Sequence, residues 1–235
     1  LCLSLAMSLT LIANAQLVNC NPDPNGEPWI TGGLPAITPE ILTKMEAISP
    51  LELTPQSRLT VLPTKVDNSQ KPWFRPVFNQ GMDGCCGQAA GIGYALTYEI
   101  NRIRNLNANV PEHQYPTHFT WNYLNEEFPE RGSWYFDGWE IVNQMGVPTV
   151  EEYGGMYKPN LSTNNRRNIW ISGYDEYYNA LSNKVVIETN HINTTNASDL
   201  EILKHWINDH GTGSATGGLA CFAANSDYNT TQFGD

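Results

Sequence analysis

An α+β fold is predicted for this chain of 235 residues, on three observations. Apolar residues recur at intervals of three and four from Cys86 to Arg104, the pattern of one long amphipathic helix. Two shorter helical patterns follow it, each closed by a glycine. A run of small and apolar residues, Gly218 to Ala224, reads as a buried strand. With 40% hydrophobic residues, seven Trp and eleven Tyr in 26.2 kDa, the chain can bury one sizeable core. A net charge of −11 and a pI near 4.8 argue against nucleic acid or any other polyanion as a partner, because phosphate backbones select for an excess of Lys and Arg.

Residues Leu1 to Ala15 form an apolar run ending Ala13-Asn14-Ala15, which reads as the core and small-residue cleavage site of a secretory signal. It lacks an initiator Met and a basic start, so the N-terminus reads as clipped. The alternative is a buried core helix. Leu17-Val18-Asn19-Cys20 loosely resembles a lipoprotein cleavage box, although Asn before the cysteine fits it poorly. No later stretch approaches the roughly twenty apolar residues of a membrane-spanning helix. The expected location is therefore secreted or cell-surface, with no membrane span.

Residues 16–72 hold nine of the fifteen prolines and little sustained periodicity, as a prosegment or linker would. One short helix is expected within them: Thr38 can cap, Pro39 suits the first helical position, and Ile41, Leu42 and Met45 share a face. From Trp73 the texture turns aromatic and glycine-rich, marking a domain over 73–235. Its long helix places Ala89, Ile92, Leu96, Ile100 and Ile103 on one stripe. A second helix is expected over Phe136–Met145, closed by Gly146 with Pro148 beyond it. A third begins at a capping box of Ser198 and Glu201, carries Leu200, Leu203, Trp206 and Ile207 on its apolar face, and stops at Gly211.

Five cysteines are present, and Cys2 would leave with a signal. Cys20, Cys85, Cys86 and Cys221 show neither an even disulfide framework nor the CxxC or paired-His spacing of a zinc site, so no metal is expected. The informative pair is Cys85-Cys86, where the long helical pattern begins. A thiol at a helix N-terminus has its anion stabilised by unpaired backbone N–H groups and the positive end of the helix dipole. Gln80 lies six residues before Cys86, in Asn79-Gln80-Gly81-Met82-Asp83-Gly84-Cys85-Cys86. Acyl transfer by a thiol needs a nucleophile, a base and donors aimed at the oxyanion. Cys86 supplies the first; its own N–H and the Gln80 amide supply the third, with Gly81 and Gly84 letting the loop turn tightly. Two other readings stand beside this one: both cysteines as small buried apolar residues, or a strained vicinal disulfide.

The segment from Asn79 to Arg104 resembles the nucleophile helix of the papain-like (C1) cysteine peptidases, whose pattern is Gln-Gly-x-Cys-Gly-Ser-Cys-Trp. Gln80, Gly81 and Cys86 match it. Asp83 stands where that family has a disulfide cysteine, Cys85 replaces the small residue before the nucleophile, and Gly87 replaces the Trp. Gly132-Ser133-Trp134, followed by Gly138 to Gly146, resembles the family's cleft wall and the helix after it, which implies that Gly132 and Ser133 are substrate-binding; an ordinary aromatic turn is the alternative. Val147 to Tyr153 resembles the segment leading to the family's Pro-Tyr turn. The resemblance implies a papain-like fold, with the helical half and the start of the β half present. It also implies hydrolysis of a peptide or protein substrate through a thioester, without a cofactor.

Spacing in that family places the base about 130–150 residues after the cysteine, near positions 216–236 here, with an Asn or Asp following. None of His113, His118, His191, His205 and His210 falls there. His210 comes nearest, at 210 − 86 = 124 residues, but a histidine interacting with a helix C-terminal dipole is the simpler explanation. The economical expectation is truncation before the catalytic His and Asn, leaving the chain as given without a base. Two rivals remain: a non-catalytic papain-fold binding module, and a transglutaminase-like thiol acyltransferase. The glycine-rich stretch from His210 to Gly218 lacks the Lys of a phosphate loop. Asn160, Asn193, Asn196 and Asn229 begin glycosylation sequons, which polar loop composition explains as well.

Overall fold

The computed structural model describes residues 2–8, 34–35, 37–80, 83–125, 132–154 and 174–223, with backbone alone for 2–8 and 174–177. Residues 9–33, Gly81, Asn160, Ala224 and Asn229 lie outside the described residues, and with them the rest of the expected leader, two of the sequons and the end of the expected last strand. In chain order the elements are β1 (Cys2–Ser8), α1 (Pro39–Ala47), α2 (Pro55–Arg58), α3 (residues 86–104), α4 (Thr117–Leu124), α5 (Tyr135–Met145), α6 (Val150–Tyr153), α7 (Tyr174–Ser182), β2 (Val186–Ile192) and α8 (Ala197–Asp209). No described helix is long and apolar enough to cross a membrane.

α3 is the axle of the fold. Ala89, Ile92, Leu96 and Ile100 are buried as their spacing requires, and Ile103 is partly so. Thr97, Glu99 and Asn101, off that stripe, are buried too, so protein surrounds α3 on nearly every side. Its middle, residues 89–96, winds with the wider i→i+5 turn: the Thr97 N–H reaches back to the Ile92 carbonyl, which also accepts from Thr97 Oγ1 at 3.1 Å. Around α3 the aromatics of α4 and α5 complete the main core, with Phe119, Trp139 and Val142 each at most 1% exposed. Burying a side chain of that size contributes about 1.5–3 kcal/mol.

α5 starts one residue before its expected position and ends, as expected, at Gly146, whose φ of +79° suits glycine alone. α1 is capped as expected: Thr38 Oγ1 accepts from the Ile41 N–H at 3.2 Å, with Pro39 opening the helix. Ile41 and Met45 lean on the main core beside Leu34 and Ile48, while Leu42 is exposed.

Two expectations are corrected. The cap of α8 is Asn196, whose side chain accepts from the Asp199 N–H at 2.8 Å; Ser198 lies inside the first turn and donates to Asn196 Oδ1. Asn is as good a cap as Ser, and the helix starts two residues earlier than expected while leaving Leu200 in solvent. Among the described residues, 218–223 form no strand beyond a single bridge at Cys221. Their backbone is satisfied elsewhere: the Gly218 N–H donates to the Trp206 carbonyl at 2.9 Å, Asn68 Nδ2 donates to the Gly218 carbonyl at 3.0 Å, and Trp206 Nε1 donates to the Leu219 carbonyl at 2.8 Å.

Among the described residues the sheet has two strands. β1 runs parallel to β2 in register from Cys2 opposite Val186 to Ser8 opposite Ile192. Should a leader over 1–15 be removed, β2 would lose this partner and keep its bonds to residues 49–51, where His191 N donates to the Ser49 carbonyl and Leu51 N to the His191 carbonyl. Packing runs without a break across Trp73. Leu51 joins Ile192, Leu203 and Trp206 in a second, smaller core, Thr54 N donates to the Gly211 carbonyl, and Asn68 reaches the Ile207 and Gly218 carbonyls.

Candidate active site

Cys86 opens α3 with its side chain exposed, whereas Cys85, one residue earlier, is wholly buried. Gln80 Nε2 lies 2.9 Å from Cys86 Sγ and donates to it, and it sits 3.4 Å from the Asp83 carbonyl oxygen. The Cys85 thiol turns the other way, towards the Gln80 carbonyl at 3.6 Å. Burial pushes the Cys85 thiol well above its ordinary pKa, reinforced by the nearby Asp83 carboxylate. Burial likewise holds Cys221 up to about 12. Cys85, Cys86 and Cys221 are all thiols, so the vicinal disulfide is not formed. Of the three, Cys86 alone meets solvent, at a helix start and under an amide donor.

The loop before Cys86 is anchored from below. Asp83 and His118, both nearly inaccessible, are joined through Asp83 Oδ2 and His118 Nε2 at 2.9 Å. The His118 ring in turn packs edge-on against Trp121. Two residues further along α3, the buried Gln88 ties three elements together: Nε2 donates to Ser133 Oγ at 3.1 Å and to the Trp134 carbonyl at 2.8 Å, and Oε1 accepts from Thr120 Oγ1 at 2.8 Å. Through Gln88 and Thr120, α4 fixes the wall at 132–134 against the first turn of α3.

That wall comes very close. A Cβ added to Gly87 would stand 2.0 Å from the Ser133 carbonyl oxygen and 3.0 Å from Leu34 Cδ2. A Trp in the manner of the papain-like pattern cannot occupy this position. Ser133 is buried and Gly132 half-buried beside it, so both lie next to the Cys86 end of α3, Ser133 with its hydroxyl committed to Gln88. Gly87→Ala is expected to destabilise the fold by about 1–3 kcal/mol through overpacking against a backbone oxygen, read as a lowered midpoint in urea unfolding.

The five histidines have other engagements. His210 is the left-handed cap of α8, with φ +58°, and both ring nitrogens face oxygens: Nδ1 the Thr216 carbonyl at 2.7 Å, Nε2 the Glu99 carboxylate at 2.9 Å. Glu99 also accepts from Arg102 Nε at 3.0 Å. Glu99 stands 99 − 86 = 13 residues along α3 from Cys86, on the order of 20 Å away at the usual helical rise, so His210 is not brought to the thiol. His205 Nδ1 lies 3.1 Å from Ser57 Oγ, which donates to Asp209 Oδ1 at 2.9 Å. With Ser57 wholly buried and bonded straight to the carboxylate, this trio is a tie between α2 and α8 and not a catalytic triad. His191 Nδ1 meets the Ile48 carbonyl and His113 Nδ1 the Asn107 carbonyl, each at 2.7 Å. Among the described residues no group of three His, Cys, Asp or Glu side chains could hold a metal ion.

The structure brings Gln80 and Cys86 into contact, and it adds Asp83–His118 and Gln88, which no motif had singled out. A signal for Gln88 was available: a long polar side chain inside Gly87-Gln88-Ala89-Ala90, where the helix is otherwise stripped to small residues.

No protein-family model matches the chain, and no curated protein does. Among solved structures it is similar to xylellain, a cysteine protease from Xylella fastidiosa, with a TM-score of 0.53 and 20% sequence identity over 77% of this chain and 64% of that one. The chain therefore has the fold of a cysteine protease, and it spans 64% of the length of that protein.

Proposed function

We propose that this chain carries the nucleophile of an exported, papain-like cysteine peptidase. The observation that carries the reading is the 2.9 Å contact from Gln80 Nε2 to the exposed Cys86 thiol at the first residue of α3. In this reading the Cys86 thiolate attacks the carbonyl carbon of a peptide bond and the carbonyl π electrons move to oxygen. The Cys86 backbone N–H and the Gln80 amide hold that oxyanion. Its collapse expels the amine, leaving a thioester on Cys86 that water hydrolyses to the acid and free thiol. All five histidines are engaged elsewhere, so in this reading the imidazole that deprotonates Cys86 and protonates the leaving amine belongs to none of them. Gly132 and Ser133, beside the first turn of α3, offer backbone to an extended peptide substrate. The leader over 1–15 sends the protein to the cell exterior, with residues 16–72 as its prosegment.

The test is acyl trapping on the intact protein. A peptide ester is added, the reaction is quenched in acid, and the Cys86 peptide is weighed by mass spectrometry with and without a primary amine acceptor. The expected result is an acyl adduct on Cys86 that partitions to water. Transfer mainly to the amine would assign an acyltransferase instead, and no adduct with any ester would leave a binding module.

A further inference from the structure

We propose that Asp83 and His118 form a buried brace that sets the position of Gln80 over the Cys86 thiol, making both positioning residues for the chemistry proposed above, on which this inference rests. The geometry is specific. Asp83 lies between donor and nucleophile in the chain: its carbonyl sits 3.4 Å from Gln80 Nε2, and that same nitrogen reaches Cys86 Sγ at 2.9 Å. Its side chain turns inward to His118 Nε2 at 2.9 Å, in a place where Asp83 is 5% and His118 1% exposed. Out of water, a carboxylate paired with a ring N–H is held far more firmly than a surface pair, and removing one partner leaves the other buried and unsatisfied. α4, which carries His118, is itself fixed to α3 by Thr120 and Gln88, so the brace is rooted in the core. The loop that must hold an amide within hydrogen-bonding distance of a sulfur is thereby fastened at its midpoint to a rigid helix. A displacement of 1 Å there would lose the contact.

The prediction is unusual in sign. Removing the negative charge of Asp83 should by itself favour a nearby thiolate and speed its alkylation; losing the position of Gln80 should slow it. The experiment measures the rate of iodoacetamide addition to Cys86 in the intact protein at pH 7, located by peptide mapping, with circular dichroism to confirm folding. Asp83→Ala is the primary variant because it removes the buried charge together with the bond, leaving no unpaired carboxylate. The rate in Asp83→Ala is expected to fall about tenfold, the effect of losing one hydrogen bond to a charged group. His118→Gln, which keeps an N–H donor at similar reach, should stay within about twofold of wild type, whereas His118→Phe should fall as Asp83→Ala does. Gln80→Ala should slow alkylation equally, and Asp83→Ala added to it should cost nothing more, since the brace acts through Gln80. Folded Asp83→Ala that reacts as fast as wild type or faster would overturn the brace. If Gln80→Ala were also unchanged, the role of Gln80 in the proposed function would fall with it. A rate that moves with Gln80→Ala and not with Asp83→Ala overturns the brace alone.

Discussion

Cys86→Ala will lower peptide hydrolysis by the intact protein by on the order of 10⁶-fold in kcat, the scale of losing a catalytic nucleophile, while Cys85→Ala stays within a few-fold of wild type. The asymmetry is physical, because the two thiols differ in everything except their place in the chain. Cys86 is exposed and receives the Gln80 amide; Cys85 is wholly buried, faces a carbonyl, and is held protonated by burial and by Asp83. Truncating Cys85 empties a space the size of one sulfur and should cost about 1 kcal/mol of stability. Steady-state hydrolysis of a peptide substrate beside urea unfolding of each variant separates the two effects. Turnover surviving in Cys86→Ala would remove the nucleophile assignment.

The largest loss of stability is expected from His210→Ala, about 3–5 kcal/mol, because it strips one partner from a buried ionic cluster. Glu99 is fully buried and shared between His210 and Arg102, and the same imidazole faces the Thr216 carbonyl, which also accepts from Ser214 Oγ. Alanine also sits less comfortably than histidine at a φ of +58°. If His210 were the base, the variant would instead keep its stability and lose several powers of ten in rate. Unfolding curves fix the folded fraction, and hydrolysis per folded molecule then decides: an unchanged rate in a much weaker fold is the expected outcome.

How much could be read from residues alone follows from the range of the forces involved. The apolar stripe of α3, the glycine stop of α5 and the Thr38 cap are local in sequence, and each was legible. So was the register that points Cys86 outward, since one residue along a helix start changes which side chain faces the loop. Periodicity records only where apolar residues are, so it could not show that Thr97, Glu99 and Asn101 are also buried; besides partners within α3, they meet Tyr115, His210 and His113 from other parts of the chain. The Asp83–His118 pair joins residues 35 positions apart, and no local pattern marks it. Of the strand expected from Gly218, the described residues keep a single bridge at Cys221, and the backbone at 218–219 bonds to the Trp206 carbonyl and to the Asn68 and Trp206 side chains. Proline content over 16–72 could not show the bonds that Thr54, Ser57 and Asn68 make to residues 207–218, because those partners lie about 150 positions away.

Those last bonds also impose an order in time. Ser57 reaches Asp209 across 152 positions, and Asn68 reaches Gly218 across 150. At about 5–20 residues per second, a ribosome needs roughly 8–30 s to make the partners that these residues await. Through that interval Ser57 and Asn68 have been synthesised without these partners, while helices such as α3 and α5 can already form. Closing these two bonds is thus a late event in the life of each nascent chain, and a stage at which a chaperone can still hold the residues around them.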